Sequence, residues 1–257
     1  MTALQTFDSA ASKTTAPTIS NFRDIGGHAL PFGKLLTGRL YRSAAPRQLH
    51  ASDAQAFGVM RLTTIVDLRG RDEAARSPTL GHDTGSIRMI STPIEPRTSG
   101  RVQQALADGS ASAALMRDLM ISSYRDYVTE AAPAFGDALT ALLTSDGSAL
   151  VHCTAGKDRT GFVVAVIQSA LGASESDIAS DYLRTNTDWD RASVSSHLPL
   201  DSDVVAPLLR ADMDYLTAAF EEITRHDGSV HGFIERATQG RVTQVHLDAL
   251  LSQAEHQ

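Results

Sequence analysis

The stretch HCTAGKDRTG, residues 152–161, constrains the fold of this chain more than any other feature, because an apolar run lies on each side of it. The run SALVH before it (148–152) is typical of a buried strand, and the run TGFVVAVIQSALG after it (160–172) is typical of a buried helix that ends at a glycine. A strand that leads through a short loop into a helix is characteristic of α/β folds, in which ligands bind at the carboxyl ends of parallel strands. We therefore predict that this loop lies at the ligand-binding edge of a sheet.

Apolar patterns elsewhere in the chain support the same fold class. Short runs rich in β-branched or aromatic residues, bounded by turn residues, predict strands at 39–42, 63–68 and 86–92. Helical spacing of apolar residues dominates the second half and predicts helices at 115–128, 135–143, 174–185 and 204–226, with a short helix earlier at 52–58. Strands alternate with helices early, so we predict an α/β fold with a central, mostly parallel sheet flanked by helices.

The chain shows no linker that would divide it, and we expect a single domain over residues 20–257. A chain of 257 residues, 42% of them hydrophobic, can bury one large core. Residues 1–19 are rich in Ser, Thr and Ala without periodicity, and this composition predicts a flexible leader.

Net charge and cysteine content limit the ligands that this chain can bind and the compartments in which we expect it. The net charge of −7 gives no general attraction to nucleic acid or to an anionic membrane, so an anionic ligand must be bound by a local cluster. Cys153 is the only cysteine, which excludes an internal disulfide and a cysteine-based zinc site, and we expect no metal or other cofactor. The first twenty residues lack the pattern of a secretory signal, and the apolar runs are too short to span a bilayer. We expect no stable membrane insertion, and a protein that is cytoplasmic or exported without a signal peptide.

The loop has the composition of a site for a phosphate group. A loop that ends on the first turn of a helix can point successive backbone N–H groups inward and bind an anion. Gly156 permits the tight turn, and the planar guanidinium of Arg159 can bind two phosphate oxygens at once. Besides Arg159, the residues predicted to bind the phosphate are Thr154, Ala155, Gly156, Lys157 and Thr160.

Cys153 stands at the start of this loop, where the dipoles that bind an oxyanion also stabilise a thiolate. The Cys-x5-Arg spacing therefore predicts a phosphate monoester hydrolase in which Cys153 attacks phosphorus and forms a phosphocysteine. We expect the Thr160 hydroxyl to donate to the sulfur and His152 to brace Cys153 through hydrogen bonds. An inert buried cysteine is the simpler interpretation, but it explains neither Gly156 nor Arg159.

Several motifs resemble those of the atypical bacterial tyrosine and phosphoinositide phosphatases of the mycobacterial type. The resemblance covers nearly everything after residue 20. It implies one phosphatase-like domain with helical lid insertions over the pocket. It also implies substrates that range from phosphotyrosine, phosphoserine and phosphothreonine in proteins to phosphoinositide head groups. The motifs are NFRDIGG (21–27), GRLYRSA (38–44), VDLRGRDE (66–73), HCTAGKDRTG (152–161) and SDYLRTN (180–186).

The proton donor for the leaving group is left open by the sequence. The family carries an Asp in a Pro-Asp pair just after the strand that corresponds to 86–92, but here Ile94 follows Pro93. Two candidates remain, Asp158 within the loop and Glu95 one place beyond the vacant position. We favour Asp158 as the catalytic acid, because its distance from the phosphate does not depend on loop closure.

Four further side chains carry weaker expectations. Lys157 is expected at the mouth of the phosphate site, where it could meet a second phosphate of an inositide, or else in solvent as an ordinary loop lysine. Asp67 and Arg69 are expected to form a structural pair at the end of a buried strand, and Arg42 to lie at the pocket rim or on the surface. Residues 97–112, which lack a core pattern, and the amphipathic helix that starts at Val204 are candidates for the lids.

Two functions of other classes compete with the hydrolase. A non-catalytic phosphate-recognition module would use the same loop without turnover, but every residue that the chemistry needs is present. A sulfur- or arsenate-transferring enzyme would also use a loop cysteine. Arsenate reduction needs further thiols, and sulfur transfer needs no arginine placed to bind a tetrahedral dianion.

Overall fold

The computed structural model describes residues 17–31, 33–46, 50–78, 87–191 and 203–252. Its centre is a five-stranded sheet in the order β1-β4-β7-β5-β6, in which β4, β7, β5 and β6 run parallel and β1 pairs antiparallel with β4. A small antiparallel sheet has the order β2-β3-β8. The strands are β1 (Arg23–Asp24), β2 (Ala29–Leu30), β3 (Gly33–Leu35), β4 (Leu40–Ser43), β5 (Leu62–Asp67), β6 (Arg88–Ser91), β7 (Ser148–His152) and β8 (Leu251–Ser252).

Helices cover both faces of the central sheet, which confirms the predicted α/β fold. In chain order they are α1 (Ala51–Val59), α2 (Arg71–Arg76), α3 (Ser99–Asp108), α4 (Ala113–Val128), α5 (Ala132–Leu143), α6 (Asp158–Ala170), α7 (Glu175–Asp188), α8 (Ala206–Leu209), α9 (Met213–Asp227), α10 (Val230–Thr238) and α11 (Gln244–Asp248). Within the described ranges, none of these helices is long and apolar enough to cross a membrane.

Strand β7 has a mostly apolar sequence because it lies in the core of the molecule. All five of its residues are buried, because helices pack against both faces of the parallel sheet. On one face Phe162 of α6 is the centre of an aromatic cluster, with ring centroids 4.8 Å from Phe135 and 5.8 Å from Phe233. On the other face Leu150 packs with Phe57 of α1 and its neighbours. The sheet is therefore fixed from both sides, and the loop after β7 starts from a rigid support.

Two predicted segments differ from the structure. The helix predicted at 204–226 is two helices, α8 and α9, because the side chain of Asp212 accepts the N–H of Asp214 at 3.0 Å and starts a new helix there. Residues 97–112, which lack an obvious core pattern, contain α3, whose Val102 and Ala105 are buried. Helix α2 has no counterpart in the prediction, because it is only two turns long and buries no residue.

The amino-terminal boundary is described only in part. Residues 1–16 of the predicted leader lie outside the described residues. Thr18, within the predicted leader, is bonded to the domain, because its N–H and its hydroxyl both donate to Asp53 of α1, at 2.8 and 3.0 Å. The first residue of the strand predicted at 86–92 also lies outside the described part.

Candidate active site

The loop that follows β7 starts where the four parallel strands end. Their last residues are in register across the sheet, with His152 of β7 beside Ser43 on one side and Asp67 on the other, and Asp67 beside Ser91. The residue that follows β7, Cys153, is 2% exposed. The structure therefore places the loop at the carboxyl edge of the sheet, as predicted.

Two side chains hold the carbonyl groups of the loop from behind. The amide nitrogen Nδ2 of Asn21 donates to the carbonyl oxygens of Ala155 and Gly156, at 2.9 and 3.0 Å. Arg42 Nη2 also donates to the carbonyl of Gly156, at 2.8 Å. The C=O and N–H of a planar trans peptide point to opposite sides, so the N–H groups of Gly156 and Lys157 point away from these donors. This arrangement is suited to binding an anion beside the first turn of α6.

Gly156 is required by two features of the loop. Its φ is +67°, a left-handed conformation that other residues adopt only with strain. A Cβ atom there would also lie 2.2 Å from the carbonyl oxygen of Ser43, at the end of β4. The loop can therefore pack this closely against the neighbouring strand only with glycine at this position.

A buried ion-pair cluster supports the loop from below, and it corrects the expectation that Arg42 lies at the rim or on the surface. Asp181 of α7 accepts hydrogen bonds from Arg23 Nε at 2.7 Å and from Arg42 Nη1 at 2.5 Å. Burial and the charge of Arg42 lower the pKa of Arg23 to about 10, so the Arg23 guanidinium remains charged at neutral pH. Arg42 is fully buried because Asp181 and a loop carbonyl supply the partners that a buried cation needs.

Arg159 is held by a carboxylate whose role the sequence does not reveal. Its Nη1 and Nη2 donate to Glu73 Oε2 and Oε1, at 2.5 and 2.9 Å. The same carboxylate accepts the hydroxyl of Thr154 at 2.7 Å and the N–H of Gly70 at 2.8 Å. Burial alone would raise the pKa of Glu73, but the hydrogen bonds and charge of Arg159 outweigh it and bring the pKa to about 2. Glu73 is therefore a carboxylate that links α2 to both ends of the loop.

The two candidate acids have different surroundings. Asp158, the first residue of α6, accepts hydrogen bonds at Oδ1 from the hydroxyl of Tyr124 at 3.0 Å, and Lys157 Nζ lies 3.1 Å from the same oxygen. Glu95 instead accepts the N–H of Arg71 at 2.9 Å, so its carboxylate binds the first turn of α2. Asp158 therefore lies on the first turn of α6, partly buried and in contact with two side chains, whereas Glu95 is exposed and is bonded to a neighbouring helix.

Lys157 departs from both positions that the sequence suggested. Its side chain is buried, and Nζ donates to the carbonyl oxygens of Leu208 at 2.8 Å and Arg210 at 3.1 Å. The last carbonyls of a helix have no partner within it, and Lys157 supplies one at the end of α8. Its ammonium therefore ties the loop to α8 and does not face the mouth of the site.

Helical segments pack beside the loop in the two regions that the sequence suggested as lids. Leu209 of α8 packs with Val205 and Trp189 in a small apolar cluster, and Leu106 of α3 contacts the same cluster. Ala155 of the loop also packs against it. Of the two regions proposed as lids, the one that begins at Val204 therefore contacts the loop through this cluster, and the one around 97–112 packs against the same cluster.

The structure forms some of the contacts that the sequence predicts for the other residues near the loop, and not others. His152 Nδ1 lies 3.3 Å from the carbonyl oxygen of Cys153, and burial lowers the pKa of His152 to about 4, so the ring is neutral at pH 7. Asp67 and Arg69 form the predicted structural pair, at 2.7 Å. The hydroxyl of Thr160 is buried without a hydrogen-bond partner in the described part of the chain, so the predicted bond to sulfur is not formed in this structure. The described ranges contain no group of three or more His, Cys, Asp or Glu that could hold a metal ion.

Known proteins of one family are similar to this chain. The sequence model of the tyrosine phosphatase family matches residues 14–252. A candidate tyrosine-protein phosphatase of Cupriavidus necator is 30% identical over 236 residues, which span 89% of this chain and 85% of the relative. Triple specificity protein phosphatase PtpB of Mycobacterium tuberculosis is 29% identical over 266 residues, which span 87% of this chain and 93% of the relative. Among solved structures, TpbA of P. aeruginosa aligns over 82% of this chain and 95% of its own at 16% identity, with a TM-score of 0.37 that is too low to inform the fold.

Proposed function

This chain belongs to the tyrosine phosphatase family, and from that premise we propose that it hydrolyses phosphate monoesters through a phosphocysteine on Cys153. One observation carries the proposal. Cys153 and Arg159 flank a loop whose carbonyls are bound on the far side by Asn21 and Arg42, so that its N–H groups are free to bind a phosphoryl group. The same loop presents a nucleophile and a bidentate cation to one anion.

In the first step the loop N–H groups and Arg159 bind the phosphoryl oxygens, and the Cys153 thiolate attacks phosphorus. An S–P bond forms while the bond between phosphorus and the ester oxygen breaks. Asp158 donates its proton to the departing oxygen, which leaves as a phenol or alcohol. Asp158 is the donor in this proposal because it lies in the loop, whereas Glu95 is bonded to the first turn of α2.

In the second step water attacks the phosphocysteine and Asp158 accepts a proton from that water. The S–P bond breaks, the thiolate of Cys153 is restored and inorganic phosphate is released. The buried, neutral imidazole of His152 has no part in either proton transfer of this proposal, because its Nδ1 contacts the carbonyl oxygen of Cys153. Its proposed role is to hold the backbone at the nucleophile.

The proposed substrates are phosphotyrosine, phosphoserine and phosphothreonine in proteins, together with phosphoinositide head groups. The breadth of this range is supported by the relative that is named a triple specificity phosphatase, which spans most of both chains. A panel of one phosphopeptide of each kind and one soluble phosphoinositide, assayed for released phosphate, tests each class separately. Release from the peptides alone would remove the inositide from the proposal.

The mechanism is tested with p-nitrophenyl phosphate in the presence of a metal chelator. We expect turnover that orthovanadate inhibits, and a rapidly quenched sample of the wild type should carry one phosphoryl group on Cys153 by mass spectrometry. Cys153→Ser should bind phosphate but neither turn over nor form the adduct, because a hydroxyl is a much weaker nucleophile at neutral pH. Phosphate binding without turnover in the wild type would instead identify a non-catalytic phosphate-recognition module.

A further inference from the structure

Two buried tyrosine hydroxyls form a chain of hydrogen bonds that ends on Asp158. The hydroxyl of Tyr124, on α4, donates to Oδ1 of Asp158 at 3.0 Å, and the hydroxyl of Tyr182, on α7, lies 2.6 Å from that of Tyr124. Both tyrosine side chains are fully buried. Burial holds the pKa of each phenol well above its ordinary value, so both hydroxyls keep their protons near neutral pH. Each group in the chain is therefore neutral and has one hydrogen.

The single hydrogen of each hydroxyl fixes the direction of the chain. Tyr124 uses its hydrogen for Asp158, so its oxygen accepts the hydrogen of Tyr182. Lys157 Nζ lies 3.1 Å from the same Oδ1, and an ammonium group can only donate. A proton on Oδ1 would therefore face two donors. When Asp158 is protonated, its proton belongs on Oδ2, which has no hydrogen-bond partner among the described residues.

The rings of the two tyrosines are fixed by packing. A Cβ atom at Gly161, the last residue of the HCTAGKDRTG motif, would lie 2.8 Å from both Cδ2 and Cε2 of Tyr182, so only glycine leaves space for this ring against α6. The ring of Tyr124 has its centroid 5.0 Å from that of Tyr127 and 5.8 Å from that of Tyr215. The carboxylate at the end of the chain is therefore anchored to a closely packed part of the core.

We propose that Tyr124, supported by Tyr182, is a positioning residue that holds Oδ1 of Asp158 and leaves Oδ2 as the oxygen that exchanges the proton. The inference rests on the proposed function, in which Asp158 gives a proton to the leaving group and later takes one from water. It deepens that function because Oδ1 accepts the hydrogen bond in both protonation states, so one contact holds the side chain in both steps. The opposite model is a hydrogen bond that stabilises only the ionised carboxylate, and in that model removal of the Tyr124 hydroxyl speeds the reaction.

The test uses Tyr124→Phe with Tyr215→Phe as the matched control. Tyr215 is buried in the same cluster, and its hydroxyl donates to the carbonyl of Pro207 at 3.2 Å, so its variant removes a buried hydroxyl that does not contact Asp158. We expect kcat/KM for phenyl phosphate to fall roughly tenfold in Tyr124→Phe, while the value for a dinitrophenyl ester stays within about twofold of the wild type, because only the poor leaving group needs a positioned proton. The ratio of the two values should be unchanged in Tyr215→Phe.

A double-mutant cycle with Asp158→Asn separates positioning of the acid from a general effect on the fold. An asparagine side chain cannot protonate the leaving group, so Tyr124→Phe should lower kcat/KM for phenyl phosphate by no more than about twofold in the Asp158→Asn background. Equal losses on both esters, an equal loss in both backgrounds, or faster hydrolysis of phenyl phosphate would overturn the proposal. If Tyr124→Phe lowers Tm too far to be assayed, the cycle is run with Tyr182→Phe, for which an unchanged ratio of the two esters is the contradicting result.

Failure of the proposed function gives a different pattern. An inactive wild type, or an Asp158→Asn variant that loses no more activity on phenyl phosphate than on the dinitrophenyl ester, would show that Asp158 is not the proton donor. If the wild type is active and Asp158→Asn is selectively slow on phenyl phosphate while Tyr124→Phe keeps the wild-type ratio, only the positioning role is wrong.

Discussion

At the scale of single residues, the choice between Asp158 and Glu95 as the proton donor depends on the hydrogen bonds that each carboxylate makes. Oδ1 of Asp158 accepts from Tyr124, which leaves Oδ2 to carry the proton. Both oxygens of Glu95 lie beside the start of α2, with Oε1 bonded to Arg71 and Oε2 close to Gly70. On these contacts we base the proposal that Asp158, and not Glu95, donates the proton.

We expect Asp158→Asn to slow aryl phosphates with poor leaving groups far more than those with good ones, because only a poor leaving group needs the proton in the transition state. The expected loss is roughly a hundredfold to ten-thousandfold for phenyl phosphate and much smaller for a dinitrophenyl ester. The slope of log kcat/KM against leaving-group pKa measures the effect. Glu95→Gln is the matched comparison, and a steep slope in that variant with a flat one in Asp158→Asn would reverse the assignment.

The residues that sequence reasoning found and those it missed differ in one physical respect. Cys153, Gly156 and Arg159 lie in a single loop, so their separation along the chain limits their separation in space. Glu73 contacts Arg159 across 86 positions, and Asp181 contacts Arg23 across 158. Such pairs leave no trace in local spacing, although both belong to motifs, VDLRGRDE and SDYLRTN, that the resemblance includes.

At the scale of elements, the strands were easier to predict than the helical insertions. Strands β5 and β7 are buried on both faces along most of their length, and each contains a short apolar run with polar or turn residues on both sides. The apolar period continues from α8 into α9, and the break between them depends on one cap at Asp212. Periodicity cannot show a break that a single side chain causes.

Lys157 connects the loop after β7 to α8, and its removal should loosen α8. It donates to two carbonyls at the end of that helix, and a hydrogen bond from a charged group contributes about 1.5–3 kcal/mol. In Lys157→Met we expect amide hydrogen exchange over 205–211 to speed up roughly tenfold or more, since each 1.4 kcal/mol corresponds to a factor of ten. Lys34→Met, which changes an exposed lysine of β3, is the control, and equal exchange in both variants would contradict the tether.

At the scale of the whole molecule, the loop is surrounded by more basic than acidic side chains although the protein is acidic. The net charge of −7 gives no general attraction for a dianion, and the basic groups around the loop are paired. In the proposed mechanism, attraction for a phosphoryl group comes from backbone N–H groups, from the N–H groups of Arg159 that Glu73 does not bind, and from the one cation in excess of the carboxylates. The pairs are Arg23 and Arg42 with Asp181, Arg159 with Glu73, and Lys157 with Asp158.

The stability of the molecule should depend on pH through His152, which is buried beneath the loop. Asp67, Arg69 and Arg159 face its ring, and desolvation by burial outweighs the attraction of Asp67. The ordinary pKa of 6.5 is lowered to about 4 in the folded protein. Between these two values the unfolded chain binds a proton that the folded chain does not. The stabilising effect of the neutral ring is therefore complete above pH 6.5 and is lost as the pH falls toward 4.

Because of His152, we expect the free energy of unfolding to fall by about 2 kcal/mol between pH 7 and pH 5. Glu73 adds little in this range, because its pKa is about 2 in the folded protein and 4.5 ordinarily, and both values lie below pH 5. Urea unfolding at the two pH values measures the difference. His152→Asn should remove most of it, whatever its effect on stability at pH 7, because asparagine does not titrate. His231→Asn, which changes an exposed histidine of α10, should leave the difference intact. A wild type equally stable at both pH values, or a His152→Asn variant with the full difference, would show that another group titrates in this range.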